Sequence, residues 1–381
     1  MRRILVETLW KMHPAEWFQF LHPPEGYKYV IQRNLIEPIA YDMSRSRNAV
    51  ALFQIAANTL PLSFIRSIYG LTQKPSNDVS FTYSIWHMVL RHEPWVMEVA
   101  DVGNFAFNEI QLLTLKHLIV RRLEMDNCKY LICWFNQVKE DLKRYFNSRK
   151  ISEKIAVVPR AVTPKSPPLR KSGDDIVRIL FVGSASQVGE FEQKGGPELL
   201  YAFKQLETKY PNIELIVRSD INPVYRDLIS NDPRIRIISR VMTLEELDLL
   251  YRSSDIFVCP AHYSPWGTIL EAMSYGLPVV VCNVYGMTDL VSHYVDGLII
   301  NSFETIYDAK RLNFSGIYSP YIIPKIEIDR LVVAKLVEYL SLLVSDRLLR
   351  ERLGQAGRLR TMTKNSYTSQ RRQLQELFDR I

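Results

Sequence analysis

Residues 255–283 read DIFVCPAHYSPWGTILEAMSYGLPVVVCN, and this stretch decides the fold. An apolar run, DIFVCPA (255–261), precedes the segment GTILEAMSYG (267–276), and a second apolar run, LPVVVCN (277–283), follows it. Short continuous apolar runs bounded by Pro or Gly are typical of buried parallel strands. The stretch therefore predicts a strand, a helix and a second strand.

The same alternation continues towards the N-terminus of this half. The predicted strands are IVRILFVG (176–183), IELIVR (213–218) and RIRIISRV (234–241). The predicted helices between and after them are GGPELLYAFKQLETKY (195–210) and TLEELDLLYRSS (243–254). The last segment opens with Thr243 and Glu246, which have the spacing of a capping box. Strands that alternate with helices predict a doubly wound parallel sheet. Apolar runs such as RRILVE and KYLICWF indicate a second α/β region in the first half.

The length supports two domains, because 381 residues is about twice the usual single-domain size. RAVTPKSPPLRKSGDD (160–175) is rich in Pro and has no apolar periodicity, which is typical of a linker. We expect an N-terminal domain over 1–162, a linker over 163–175 and a C-terminal domain over 176–360. A hydrophobic fraction of 47% and a charged fraction of 23% exclude disordered and collagen-like chains.

The charge is uneven along the chain. The net charge is +7, and the first 160 residues carry 21 basic and 15 acidic side chains. A basic first half favours a partner rich in phosphate or an anionic membrane. Scattered charge that serves solubility is the alternative.

Four cysteines, without a CxxC pair, lie in or beside apolar runs. They indicate buried, reduced thiols in a reducing cytoplasm, with neither a zinc cage nor a redox motif. The N-terminus lacks the pattern of a signal peptide. The uncharged segment 48–65 contains too many polar residues to span a bilayer, so the protein is expected to be peripheral at most.

Ligands of open parallel sheets bind beyond the carboxyl ends of the strands. There Gly183 would let a ligand approach the backbone, and Lys194 precedes a helix N-terminus, a favourable place for an anion. Backbone N–H groups at Gly267 and Thr268 could hold a diphosphate, and Glu271 could accept hydrogen bonds from a ribose. A solvated lysine and an acid that favours the helix dipole are the alternatives.

EAMSYGLPVV (271–280) resembles the second half of the donor-binding signature of family-4 retaining glycosyltransferases, which have the GT-B fold. Other stretches resemble further segments of that family, namely KIAVVPRAV (154–162), FVG (181–183) with KGG (194–196), MTDLVSHYVDGLII (287–300) and RLLRERLGQAGRLR (347–360). The likeness covers about 150–381. It implies an α/β chain of two Rossmann-like, doubly wound domains facing a cleft, with a C-terminal helix (361–381) that packs back on the first domain.

The resemblance also implies roles for individual residues. Lys194 and Glu271 become the candidate catalytic residues, and Asp101 lies on the acceptor side. The donor-binding candidates are Gly183, Arg218, His262, Tyr263, Trp266, Gly267 and Thr268.

Several parts of the chain depart from the family pattern. Tyr263 stands where the family has its first Glu, and Ser184 stands where a basic residue is common. LWKMHPAEW (9–17) replaces a Gly-rich loop. Arg218, whose guanidinium suits diphosphate oxygens, could replace the missing cation.

These features predict a metal-independent transferase that uses a nucleotide-diphospho-sugar as co-substrate and needs no other cofactor. The acceptor is expected to be a saccharide or a lipid-linked saccharide at the cytoplasmic face of a membrane, where the chain could touch anionic lipid. A non-catalytic nucleotide-sugar-binding or scaffold subunit is the alternative, because Tyr263 replaces an acid. A nucleic-acid-binding protein is disfavoured since no such motif appears, and a sugar-nucleotide epimerase is a distant alternative.

Overall fold

The computed structural model describes residues 1–8, 19–32, 59–72, 78–106, 109–169, 175–185, 189–229, 232–301 and 327–381. They form two compact units. The first contains the described parts of 1–161 together with 367–381, and the second contains the described parts of 162–366. The segment 9–17 and most of the segment 48–65 lie outside the described residues.

The first unit is built on a six-stranded parallel sheet in the order β2-β1-β3-β4-β5-β6. The strands are β1 (Arg2–Thr8), β2 (Tyr27–Gln32), β3 (Phe81–Ile85), β4 (Trp95–Val99), β5 (Cys128–Cys133) and β6 (Ile155–Val157). Helices Leu62–Tyr69, Glu109–Glu124, Asn136–Phe146 and Arg149–Lys154 lie between them in the sequence. Every residue of β3 and β4 is buried, as expected for strands covered on both faces.

The helix Tyr367–Phe378 belongs to this first unit. Its last residue, Phe378, is fully buried and meets the rings of Phe81 and Tyr27 edge-on at 5.1 and 5.6 Å. The Tyr27 hydroxyl donates a hydrogen bond to Asp379 at 2.9 Å. The end of the chain therefore completes the core that the first strands begin.

The second unit has its own six-stranded parallel sheet, in the order β12-β11-β10-β7-β8-β9. Its strands are β7 (Val177–Val182), β8 (Ile213–Arg218), β9 (Ile235–Ile237), β10 (Ile256–Cys259), β11 (Val279–Cys282) and β12 (Leu298–Ile300). The strand order reverses between β7 and β10, and a reversal of this kind opens a crevice at the carboxyl ends of the two strands. The prediction of an α/β chain with two doubly wound, Rossmann-like domains is confirmed.

Helices of the second unit are Glu190–Gln193, Gly196–Leu206, Arg226–Ile229, Leu244–Arg252, Trp266–Tyr275, Met287–Leu290, Arg330–Ser345 and Arg347–Met362. The capping box at Thr243 is confirmed, because the Glu246 N–H donates to the Thr243 hydroxyl at 3.2 Å and the Thr243 N–H donates to the Glu246 carboxylate at 2.8 Å. The predicted strand 234–241 is shorter than expected. It ends at Ile237, and Arg240 instead pairs with Glu246 at 2.5 Å.

Candidate functional site

The loops that follow β7 and β10 meet at the carboxyl edge of the second sheet. Lys194 lies at the end of the β7 loop, where its ammonium is 3.0 Å from the Glu190 carboxylate, and both side chains are buried. Gly195 has a φ of +74°, and a Cβ there would lie 2.7 Å from Cγ of Pro260. Because only glycine tolerates that combination, Gly195 allows the two loops to touch.

Two neighbours on the β10 loop are tied to the β7 loop and its helix. The His262 N–H donates to the Gln193 carbonyl at 2.9 Å, and the His262 ring lies 3.3 Å from the buried Glu198 carboxylate. The Tyr263 hydroxyl donates to Glu190 at 2.9 Å. Three predicted residues, Lys194, His262 and Tyr263, therefore come together.

Sequence reasoning missed the two acids that hold this arrangement, Glu190 and Glu198. Glu190 is four residues before Lys194, and that spacing would have indicated an ion pair had the short helix Glu190–Gln193 been expected. Glu198 is 64 residues from His262 in the sequence, and no local pattern links the two.

The helix Trp266–Tyr275 begins beside this junction with an open N-terminus. Its N-cap residue is Pro265, which forms no side-chain capping bond. A Cβ at Gly267 would have no neighbour within 4 Å, and Trp266, Gly267 and Thr268 are all partly exposed. First-turn N–H groups and the helix dipole favour an anion at such a position.

Glu271 lies in the second turn of the same helix, near Tyr251 and Lys165. Burial raises the pKa of the Glu271 carboxyl, and the nearby Lys165 ammonium and Tyr251 hydroxyl offset only part of that rise. Tyr251 is itself held by stacking on Tyr275, with ring centroids 4.9 Å apart. In the described part of the chain, no contact joins Glu271 to Lys194 or Arg218, and the predicted contact with a ribose stays a prediction.

Arg218 ends β8 on the other side of β7. Its guanidinium donates to the Gly183 carbonyl at 3.0 Å, and its Nε atom is buried without a hydrogen-bond partner. No carboxylate among the described residues pairs with it, and burial lowers the pKa of the guanidinium. A half-buried cation without a counter-ion is suited to bind an anion.

Gly183 has a packing role in addition to the predicted one. A Cβ at Gly183 would lie 2.9 Å from Cβ of Ser219, whose hydroxyl donates to the Ser184 carbonyl at 3.2 Å. The space beside Gly183 is therefore filled by Ser219. Contact between Gly183 and a ligand remains a prediction.

Asp101, the residue predicted for the acceptor side, lies in the first unit, two residues after the end of β4. It is buried and begins the 3-10 turn Val102–Asn104. Within this turn the Asn104 side chain accepts the N–H of Ala100 at 2.7 Å. This bond ties the turn that Asp101 begins to the end of β4, and the contact of Asp101 with an acceptor stays a prediction.

Part of the second unit is similar to a known family. Residues 177–310 match the family model described as glycosyl transferases group 1. Residues 177–310, about a third of the chain, are therefore similar to a glycosyl transferases group 1 domain. The stretch contains Lys194, Arg218, the His262–Tyr263 pair and Glu271, so the candidate site lies inside the matched region.

Two curated relatives show how far the likeness extends. An uncharacterized glycosyltransferase of Methanocaldococcus jannaschii, MJ1607, is 32% identical over 133 residues, which are 33% of this chain and 32% of that protein. The UDP-Gal:alpha-D-GlcNAc-diphosphoundecaprenol alpha-1,3-galactosyltransferase of Escherichia coli is 27% identical over 279 residues, or 65% of this chain and 70% of that protein. The alignment thus spans about a third of the first relative and 70% of the second.

Solved structures share the architecture of two Rossmann-like domains. Anabaena Alr3699/HepE, crystallised in complex with UDP, is 13% identical and covers 100% of both chains with a TM-score of 0.59. At this identity the likeness concerns the fold, and it confirms the predicted GT-B architecture of two Rossmann-like domains.

The described residues contain neither a candidate membrane span nor a candidate metal site. None of the helices in the described ranges is both long and apolar enough to cross a membrane. Within those same ranges, no three His, Cys, Asp or Glu side chains are grouped so as to hold a metal ion.

Proposed function

We propose that the chain is a glycosyltransferase that moves a sugar from a nucleoside-diphospho-sugar to a saccharide or lipid-linked acceptor. The transfer would retain the anomeric configuration and need no metal ion. The observation that carries the proposal is the junction of the β7 and β10 loops, where Lys194, His262 and Tyr263 meet beside an open helix N-terminus. This junction lies inside the group 1 domain and at the switch point of the sheet.

The difficult step is departure of a nucleoside diphosphate from the anomeric carbon. Lys194, Arg218 and the N–H groups near Gly267 would stabilise the charge that develops on the diphosphate. Glu271 would anchor the ribose, while His262 and Tyr263 would position the sugar. No protein nucleophile is assigned.

Two experiments test the mechanism. Loss of activity in EDTA would contradict metal independence. NMR of the product identifies its anomer and so tests whether the anomeric configuration is retained.

The acceptor proposal rests on the first unit and on the E. coli relative, whose name includes a diphosphoundecaprenol acceptor. The helix Glu109–Glu124 exposes Ile110 and Leu113 by 77% and 65%, and His117 and Arg121 follow on its solvent side. Apolar side chains beside cations suit the surface of an anionic membrane. We place this membrane face in the cytoplasm because all four cysteines are buried and free.

Vesicle flotation tests the membrane contact. Replacing Ile110 and Leu113 by Ser should lower recovery with phosphatidylglycerol vesicles, whereas Leu348→Ser, a substitution at a residue of the second unit that is 78% exposed, should not. Equal recovery with neutral phosphatidylcholine vesicles would contradict a role for lipid charge.

A non-catalytic donor-binding subunit is the second candidate, and Tyr263, in the place of an acid, favours it. The test that separates the two is calorimetry with UDP-, GDP- and ADP-sugars, followed by assay for transfer and hydrolysis. Lys194→Ala and Glu271→Ala should both weaken binding of the preferred donor. Donor binding without either reaction would favour the subunit, and no binding by the folded protein would overturn both candidates.

A further inference from the structure

Glu190 is a buried carboxylate at the centre of the candidate site, and the proposed roles above do not use it. One of its oxygens is 3.0 Å from the Lys194 ammonium, and the other accepts the Tyr263 hydroxyl at 2.9 Å. Glu190 and Lys194 are only 6% and 7% exposed. An ion pair at this distance and depth is weakly screened by water and salt, so the charge of Lys194 is largely balanced.

The two cations of the site therefore differ. Arg218 has no carboxylate partner within the described ranges, whereas Lys194 already holds one. A diphosphate that arrives near Lys194 must compete with Glu190 for the ammonium, and it also meets the negative charge of that carboxylate. Both effects lower the affinity for the anion.

We propose that Glu190 is a positioning residue that acts as a built-in counter-ion of Lys194. It holds the ammonium in place before the donor arrives. It also weakens the interaction between Lys194 and the nucleoside diphosphate, and this weaker interaction speeds product release. The inference rests on the proposed function, since it takes Lys194 as a diphosphate ligand.

Tyr263 has a defined part in this arrangement. When Lys194 turns to the diphosphate, the hydroxyl of Tyr263 still donates to Glu190 and keeps the buried carboxylate hydrogen-bonded. Loss of that hydroxyl would leave Lys194 as the main partner of the buried Glu190 carboxylate, so Lys194 would be less available to the diphosphate. Substitutions at the two positions should therefore act in opposite directions.

The experiment is calorimetric titration with UDP, GDP and ADP as probes. For the nucleotide that wild type binds, Glu190→Gln should tighten binding about tenfold, as expected for the removal of one opposing charge. Tyr263→Phe should weaken binding about threefold, because loss of the hydroxyl affects Lys194 only through Glu190. The double variant should behave like Glu190→Gln alone. Stopped-flow displacement should show slower release of the nucleotide from Glu190→Gln.

Two further variants control for folding and for general electrostatics. Glu192→Gln removes the same charge from the same short helix and should change affinity less than twofold. Glu190→Asp keeps the charge but shortens the side chain, so it should fold as wild type and tighten binding by an intermediate factor. Circular dichroism and melting temperatures report whether each variant is folded.

The outcomes distinguish this inference from the proposed function. If Lys194→Ala weakens nucleotide binding but neither Glu190→Gln nor Glu190→Asp tightens it, the counter-ion role is overturned and the donor site stands. If folded wild type binds none of the three nucleotides, the proposed function fails, and the inference fails with it. Weaker binding in every variant, with lower melting temperatures, would show that Glu190 is only structural.

Discussion

Nε2 of His262 lies 3.3 Å from Oε1 of Glu198, a carboxylate that is wholly buried in the first turn of the helix Gly196–Leu206. The same oxygen accepts the N–H of Asp329 at 3.3 Å. One acid thus fixes the β10 loop and the start of the helix Arg330–Ser345. The position of His262 in the site depends on a residue that no donor needs to touch.

Removing this carboxylate charge should loosen the β10 loop. We expect Glu198→Gln to lower the free energy of unfolding by about 1–3 kcal/mol, the usual cost of a disturbed buried hydrogen-bonding group. Donor affinity should fall as well, because His262 loses its support. Urea unfolding and calorimetry measure the two effects, and unchanged values for both would contradict the role given to Glu198.

The uncompensated cation at the end of β8 leads to a prediction about salt. Arg218→Ala should weaken binding of a nucleoside diphosphate by about 10- to 100-fold, which corresponds to a hydrogen bond between charged groups. The loss should be smaller at high ionic strength. Arg240→Ala is the matched control, since Arg240 is exposed and pairs with Glu246. Equal losses in the two variants would show that only net charge matters.

Replacing two glycines of the site by alanine should have different effects on stability and on donor binding. Gly195→Ala places a Cβ against Pro260 at a φ of +74°, so we expect a loss of about 2 kcal/mol or more in stability. Gly267→Ala meets open space and should leave stability almost unchanged, while the added methyl hinders a diphosphate at the helix N-terminus. Thermal melts and donor titrations separate the effects; a stable Gly195→Ala variant would contradict the close contact of the loops.

Glu271 should make stability depend on pH. Burial raises the pKa of this carboxyl above its usual value near 4.5, so the folded protein binds more protons than the unfolded chain, and stability falls as the pH rises from about 4.5 through the folded pKa. Glu271→Gln removes the ionisation. The variant should be more stable than wild type at neutral pH, with the difference vanishing below about pH 4.

Urea unfolding across this pH range tests the effect of Glu271. A variant that gains stability while it loses donor affinity is the expected signature of a site residue. A variant that is less stable than wild type at pH 7 would contradict the prediction.

The sequence predicts the strands of the second unit well because short apolar runs between Gly and Pro commonly form buried parallel strands. The ends of those strands then locate Lys194, Arg218 and the start of the helix Trp266–Tyr275 without further information. Capping is equally local, as Thr243 and Glu246 show.

What the sequence does not reveal is how side chains from separate loops pair. The close approach of His262 to Glu198 and the hydrogen bond from Tyr263 to Glu190 accompany the contact between Gly195 and Pro260, which is a tertiary contact without a local signal. The third strand pairs with β8 only as far as Ile237, and Arg240 beyond it pairs with Glu246 of the following helix cap, a contact that the apolar run does not reveal. Local preferences fix the elements, and contacts between loops fix the site.

The helix that ends at Phe378 has a consequence for synthesis on the ribosome. The core of the first unit lacks the Phe378 ring until residue 378 has left the exit tunnel, whereas the described part of the second unit extends only to residue 366. The half that is made first therefore receives a core residue after the second unit has emerged. Early release of the nascent chain would leave the strand residues Tyr27 and Phe81 without their partner and would expose them to chaperones and proteases.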